Sequence, residues 1–307
     1  MVDLQTAYAA YYPYLHSVAY HMLGSVSEAE DIVQELFLDV HDHLDSIEHV
    51  KTYLARATTN RCLNVLQSAR VRREVYPGVW LPEPASEGDW QQPHQVVEQR
   101  ESLSYAFMVM LEQLEPMERA IIVLREGYDY PYSEIAVLLD KSEANCRKIY
   151  SRGKKKLDPN RVRPATDQAH MAACVELFVK AFQSGDSSTL IRLLTDTSIL
   201  ISDGGGKVNT AINPLYGRER VVAFLLGVSA KRYAHLTYAM AVHNGQPGVV
   251  FYENGNPAAL LMLEMESEDH VFRGLYFVVN PDKVQSCTAD GRISEELARS
   301  MNRRLNG

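Results

Sequence analysis

Two prolines at alternate positions, in Trp80-Leu81-Pro82-Glu83-Pro84, divide this chain more firmly than any other feature of its sequence. Each removes a backbone donor and pushes the residue before it toward extended geometry, so the stretch is neither a helix nor a central strand. It nevertheless carries one of only two tryptophans in 307 residues, and the other, Trp90, follows in the same connecting region. Burying a large aromatic side chain is worth roughly 1.5–3 kcal/mol, which a solvated linker forgoes. The stretch therefore reads as a docking peptide; the alternative is a loop whose Trp packs on its nearest domain.

The length suggests two or three domains, and 46% hydrophobic with 23% charged residues is an ordinary soluble balance. There is no cationic-plus-apolar N-terminal signal, and no apolar run approaches the roughly 18 residues of a membrane span, so a cytosolic protein without membrane contact is expected. Cys62, Cys146, Cys174 and Cys287 stand far apart with no Cys-x-x-Cys pair. Neither a metal, a cofactor nor a disulfide framework is expected from them.

A net charge of −8 argues against general nucleic-acid coating, but the charges are segregated. Glu28 to Glu48 holds eight acids and no Lys or Arg; Lys51 to Arg73 holds six bases and no acid; Lys141 to Leu157 holds seven bases against Glu143 alone. This pattern suggests one acidic protein-binding face and two basic, DNA-facing segments.

Residues 1–73 show helical periodicity without strand-like alternation, as in Ile32, Val33, Leu36, Phe37 and Val40. Gly24 closes a helix running from Tyr12 to Leu23, and Ser27 with Glu30 forms a capping-box pattern for the next. Asp31, Gln34 and Glu35 share the polar face of that second helix, a row that a simply solvated face would also carry. A further helix from about Thr52 to Ala69 places Asn60, Arg61, Asn64 and Gln67 at similar spacing, followed by Arg70, Arg72 and Arg73. Arg and Lys supply phosphate contacts, and Asn or Gln can bond base edges.

Between Leu103 and Leu157 the pattern is again helical and ends as a helix-turn-helix. Tyr132 to Leu139 forms its first helix, Asp140-Lys141 the turn, and Ser142 the cap of the second. Cys146, Ile149, Gly153 and Leu157 fall on the core side, while Glu143, Asn145, Arg147, Lys148, Ser151 and Arg152 point outward as a major-groove helix requires.

Tyr20-His21-Met22-Leu23-Gly24-Ser25 with Glu28-Ala29-Glu30-Asp31-Ile32-Val33-Gln34-Glu35 resembles region 2 of bacterial extracytoplasmic-function sigma factors. Leu114-Glu115-Pro116-Met117-Glu118-Arg119, Ser133-Glu134-Ile135-Ala136 and the helix after Ser142 resemble region 4. The resemblance implies that Asp31, Gln34 and Glu35 face core RNA polymerase and that Asn60, Arg61 and Asn64 meet the melted minus-ten strand. It implies also that the helix after Ser142 reads the minus-thirty-five element. The chain departs from the family pattern at Tyr53, Asn64, Gln67 and Asp140.

After a short polar linker the composition changes. Met171, Cys174, Val175, Phe178 and Phe182 mark an amphipathic helix ended by Gly185, Asp186 caps a second helix through Leu194, and strand signals follow at Ile199–Ile201, 236–242, 248–252, 258–265 and 271–279 with one helix near 221–226. This order is similar to the SnoaL-like fold, a cone whose curved antiparallel sheet wraps a pocket where a small ligand of unspecified identity would sit.

Asp203-Gly204-Gly205-Gly206-Lys207 is a tight glycine turn without the spacing of a phosphate-binding loop, and Asn280-Pro281-Asp282-Lys283 follows the last strand; each alone reads as a turn. With Trp80 to Pro84 they resemble the motifs of one group of these sigma factors, those with a C-terminal SnoaL-like extension acting in cis. The implied architecture is two all-α domains followed by an α+β cone-shaped barrel. Its expected spans are region 2 at 1–73, a linker at 74–98, region 4 at 99–158, a linker at 159–167, the cone at 168–285 and a tail at 286–307. The rival is a cyclase- or isomerase-type enzyme fused to a DNA-binding module, for which Asp203, His235, His243 and Tyr276 are the candidate groups.

Overall fold

Helical periodicity governs the chain up to Leu157, and strands begin only at Leu194, in a computed structural model that describes residues 4–85, 103–157, 168–266, 271–285 and 287. Trp90, much of the connection around it and all of the expected tail except Cys287 lie outside the described residues. The chain divides into two units. One contains residues 4–75, 103 and 107–157; the other contains 76–85, 104–106 and the described chain from 168 onward.

In the helical unit, α1 spans Leu4–Leu23, α2 Val26–Val40 and α3 Val50–Glu74. The first helix begins well before Tyr12, because Pro13 is accommodated inside it at the loss of one backbone bond instead of ending it. Gly24, at φ 72°, terminates α1, and Ser25 rather than Ser27 caps α2 by accepting from Glu28 N at 3.4 Å. Ile32, Val33, Leu36, Phe37 and Val40 are all buried, so the apolar stripe of α2 faces the core.

The second half of this unit contains α4 (Tyr105–Leu111, its first two residues belonging to the other unit), α5 (Pro116–Ile122), a π turn over Val123–Gly127, α6 (Tyr132–Leu139) and α7 (Glu143–Lys154). It packs on α1 through polar contacts. Tyr128 Oη lies 2.7 Å from Ser17 Oγ and 2.8 Å from His21 Nδ1. Arg119, 3% exposed, donates to Met22 O and Leu111 O, both at 3.0 Å, and pairs with Glu112 at 2.7 Å.

In the other unit α8 (Gln168–Ser184) and α9 (Ser187–Leu193) lead into β1 (Leu194–Asp203), β2 (Leu215–Tyr216), α10 (Arg218–Val228), β3 (Thr237–His243), β4 (Gln246–Glu253), β5 (Asn256–Met265), β6 (Phe272–Val278) and a final turn, α11 (Pro281–Val284). The six strands form one sheet in the order β2-β1-β6-β5-β4-β3. Most neighbours are antiparallel, but β1 and β6 run parallel, with Leu200 opposite Leu275 and Asp203 opposite Val278. Alternation alone cannot reveal the direction of two strands so distant in sequence, and β6 comes to lie beside β1 only after β2, α10 and three further strands. One sheet face packs on α8 and α10, where Phe178 meets Phe272 edge-on at 5.5 Å and Phe182 meets Phe251 at 5.7 Å.

Burial, with the neighbouring His16, lowers the pKa of His21 to about 4. His21 is thus neutral in the folded chain, whereas an unfolded histidine binds a proton near about 6.5. The stability this confers is complete above about 6.5 and is lost as pH falls toward about 4. Urea midpoints of the wild type should fall between about pH 7 and pH 5 more steeply than those of His21→Asn. Parallel pH profiles would exclude His21 as the sensitive group.

Candidate functional site

The acidic row of α2 is open: Asp31, Gln34 and Glu35 are exposed, and so is Leu38, at 75% the most exposed large apolar residue on this helix. Gln34 donates to Glu30 at 2.9 Å. Glu35 and Asp39 turn toward α3, where Arg61 lies 3.8 Å from the former and 2.5 Å from the latter. Arg61 thus joins the acidic helix to the basic one, while Asn60, Asn64 and Gln67 of α3 stay exposed. Arg70, Arg72 and Arg73 belong to the last turns of α3, and their side chains are outside the described part.

In the helix-turn-helix, Asp140 takes φ 52° and ends α6, and Ser142 caps α7 by accepting from Asn145 N at 3.2 Å. Cys146, Gly153 and Leu157 are buried. Glu143, Asn145, Arg147, Lys148, Ser151 and Arg152 are exposed, but they differ in what they already hold. Arg147 pairs with Glu143 at 3.2 Å and lies 4.5 Å from the centre of the Tyr132 ring. Arg152 Nε reaches Glu118 at 2.5 Å, and Lys156 reaches its other oxygen at 2.8 Å. Glu118 is fully buried and also accepts from Glu115 N, closing the capping box of α5. Burial raises its pKa, but the hydrogen bonds from Lys156, Glu115 N and Arg152 outweigh that and hold it below the usual carboxylate range.

The proline peptide lies against the sheet unit. Asp203, 1% exposed at the end of β1, accepts from Tyr76 Oη at 2.6 Å, from Leu81 N at 3.0 Å and from Gly205 N at 3.0 Å. Lys283 Nζ pairs with Asp203 at 2.7 Å and donates to Leu81 O. Both backbone groups of Leu81 are therefore held by one buried ion pair. Lys283 Nζ also sits 4.0 Å from the Trp80 ring centre. Leu81 is fully buried and Trp80 only partly, so the deepest anchor of the peptide is the leucine. Pro82 and Pro84 are buried too, while Glu83 is half-buried.

The two turns interlock around this pair. Asn280 caps α11 by accepting from Asp282 N at 3.1 Å and donates to Tyr76 Oη at 3.0 Å. Lys207 turns away from the peptide and pairs with Asp282 at 2.5 Å on the exposed rim. Gly204 O accepts from Lys207 N and Val208 N. A Cβ on Gly205 would lie 2.5 Å from Asn280 Nδ2, and one on Gly206 would lie 2.8 Å from Pro77 Cγ. Both have φ above +60°, so geometry and space each require glycine there. Burial, and then the bond to the Asp203 carboxylate, raise the Tyr76 pKa, so its hydroxyl remains a donor.

Three parts of this arrangement were not singled out in the sequence: Tyr76, Tyr105, whose hydroxyl donates to Pro82 O at 2.8 Å, and the Asn244-Gly245 turn between β3 and β4. An Asn-Gly pair between alternating segments is a strong hairpin signal and could have located the last. Of the groups considered for acid-base chemistry, Asp203 is engaged as above, Tyr276 donates to Glu264 at 2.7 Å, His243 is buried and His235 is exposed. Among the described residues no group of three or more His, Cys, Asp or Glu side chains could hold a metal ion, and no helix is long and apolar enough to cross a membrane.

Residues 7–72 match the family model of sigma-70 region 2, and residues 104–157 match that of sigma-70 region 4. The chain is 33% identical to the ECF RNA polymerase sigma factor SigJ of Mycobacterium tuberculosis over 95% of its own length and 96% of that protein. It is 27% identical to the probable ECF RNA polymerase sigma factor SigI of the same species, over 86% and 89%. The crystal structure of the Mycobacterium tuberculosis extracytoplasmic function sigma factor SigJ superposes with a TM-score of 0.71 at 31% identity, covering 89% of this chain and 95% of that one.

Removing one member of a buried ion pair typically costs about 3–5 kcal/mol, whereas replacing both by apolar groups costs far less. Lys283→Met should therefore destabilise the sheet unit more than the double variant Asp203→Leu/Lys283→Met does, as read by urea midpoints. With Trp90 replaced by Phe, the emission of Trp80 should shift to the red in the single variant. Additive losses in the double variant would show that the pair is not the anchor.

Proposed function

We propose that this chain, which belongs to the extracytoplasmic-function RNA polymerase sigma factors, is regulated in cis by its SnoaL-like sheet domain, which grips the peptide Trp80 to Pro84 between sigma regions 2 and 4. The observation that carries this is the buried Asp203–Lys283 pair closed on both backbone groups of Leu81. A peptide held through its backbone by a buried pair can be bound or released, and a ligand that favours one of these states would shift the balance between them.

As a sigma factor the chain directs promoter-specific initiation by core RNA polymerase, in the cytosol where that enzyme and promoter DNA are found. Asp31, Gln34 and Glu35 form the polymerase-facing row, and their exposure on α2 supports that role. Asn60, Asn64 and Arg61, with Arg70, Arg72 and Arg73 beyond them, meet the minus-ten element. On α7, Asn145, Lys148 and Ser151 read the minus-thirty-five element beside Ser142 and Glu143. Arg147 and Arg152 reach DNA only by leaving the Tyr132 ring and Glu118.

The sheet domain acts by binding rather than by catalysis. Asp203 is committed to the peptide, and Tyr276 to Glu264. The rings of Phe178 and Phe182 on α8 pack with those of Phe251, Phe272 and Phe277 on the sheet, and the proposed control is read on the peptide-binding side.

Run-off transcription with purified core polymerase tests the whole reading. Asp31→Lys should weaken core binding in a pull-down while changing stability by less than about 1 kcal/mol, since the charge is exposed. Trp80→Ala, Asp203→Ala and Lys283→Met should all move transcription in the same direction. Unchanged transcription in a variant whose Trp80 emission shows release would refute control by docking.

A further inference from the structure

Asn244 and Gln246 belong to none of the three motifs at Trp80–Pro84, Asp203–Lys207 and Asn280–Lys283. They flank Gly245 in the turn that joins β3 to β4, where His243 pairs with Gln246 and both Asn244 and Gly245 have positive φ, at 52° and 66°. A two-residue turn of this kind requires nothing more from its side chains. Yet Asn244 and Gln246 are each only 6% exposed, and both aim polar atoms at the chain on either side of the connection between the two helical regions.

Asn244 exchanges two bonds with Ala85: Ala85 N donates to Asn244 Oδ1 at 3.1 Å, and Asn244 N donates to Ala85 O at 3.0 Å. Gln246 Oε1 accepts from Ala106 N at 3.3 Å, and its Nε2 donates to Leu263 O at 2.6 Å, which fixes the orientation of the amide. Ala106 N belongs to the first turn of α4, where backbone donors have no partner within the helix, so Gln246 supplies one from a strand. Beside it the Tyr105 ring meets Tyr276 edge-on at 5.7 Å. Tyr276 is in turn held by Glu264, which Arg273 grips at 2.6 Å. One hairpin turn thus binds the chain both where it leaves the docked peptide and where it enters α4.

We propose that this turn is a second latch, separate from the Asp203–Lys283 site, and that Asn244 and Gln246 are positioning residues that hold Ala85 and the first residues of α4 on the sheet domain. The proposal rests on the reading that the sheet domain controls the sigma factor by docking the interdomain peptide. It adds that docking has two independent parts. The first holds Leu81; the second keeps Ala85 and Ala106 together, so that releasing Trp80 to Pro84 does not by itself free the start of α4.

Residue-resolved hydrogen exchange on the full chain separates the two, because Leu81 N–H reports the ion-pair site, and Ala85 N–H and Ala106 N–H report the turn. Asn244→Gly keeps the angles of the turn while removing Oδ1, and Gln246→Met keeps the volume while removing the acceptor. The double variant should speed exchange at Ala85 and Ala106 by about fivefold or more and leave Leu81 protected. Lys283→Met should do the converse. In run-off transcription the double variant should narrow the preference among promoters that differ in the spacing of their two elements; a merely structural loss would lower all of them alike. The proposal is overturned if either variant frees all three amides together, if the double variant leaves Ala85 and Ala106 protected, or if spacing preference is unchanged. Should Lys283→Met leave Leu81 protected, the docking reading fails at its own site, and the second latch is judged by the double variant alone.

Discussion

The arrangement of the sheet unit depends on how a buried ion pair satisfies its remaining valences. Taking Asp203 and Lys283 out of water costs several kcal/mol for each ion, and their mutual attraction repays this only when the other lone pairs and protons are also bonded. Gly205 N supplies one such bond from the sheet unit, and others come from the chain between Tyr76 and Leu81. Tyr76 and Leu81 N supply donors to Asp203, Leu81 O takes a proton of Lys283, and the Trp80 ring covers the ammonium. The pair is therefore complete only with the peptide in place, which gives binding and specificity the same source. Pro82 and Pro84 suit that task because they keep the neighbouring backbone extended, so little conformational freedom is lost when Leu81 enters the clamp.

The helical unit spends its charges differently. Its basic segments look in sequence like uniform DNA-facing runs, yet several bases close the fold. Glu118 collects Arg152 and Lys156 and so fastens α7 to α5; Arg61 joins α3 to the acidic row of α2 through Asp39. Such contacts are worth more when one partner is buried, as Glu118 is, than between two exposed groups, which typically contribute under about 1 kcal/mol. Asn145, Lys148 and Ser151 stay exposed on α7 apart from these contacts, so fewer of its outward side chains are uncommitted than the charge count of the sequence suggests.

Much of this architecture is legible from local rules. The helices of both helical regions, the Ser142 cap, the Asp140 turn and the β-strand segments all follow from periodicity and turn chemistry, because each depends on residues a few positions apart. What escapes is whatever depends on distant partners. Pro13 sits inside α1 because tertiary packing overrides a local breaker, and β1 runs parallel to β6 although nothing near either strand announces it. Trp80 drew attention by its size, whereas Leu81 next to it is the buried residue, since what the site recognises is backbone. Neither Tyr76 nor Gln246 carries a local signature; each matters only through an atom supplied from far along the chain.

Two modest holds on one connection serve a sigma factor better than a single strong one. A binding partner can shift an equilibrium only by its differential affinity for the two states, so a peptide clamped by many kcal/mol would answer to no realistic signal. Dividing the hold between the ion-pair site and the β3–β4 turn keeps each step small. The hydrogen bonds of Asn244 and Gln246 are neutral, worth about 1 kcal/mol each, whereas the bonds at Leu81 involve charged groups and run to about 1.5–3 kcal/mol. The turn is thus the part that opens at lower cost, and the ion-pair site sets the upper limit. A partner competing for the peptide would have to displace only the ion-pair hold at Leu81, and α4 would stay on the turn until that weaker hold opened as well.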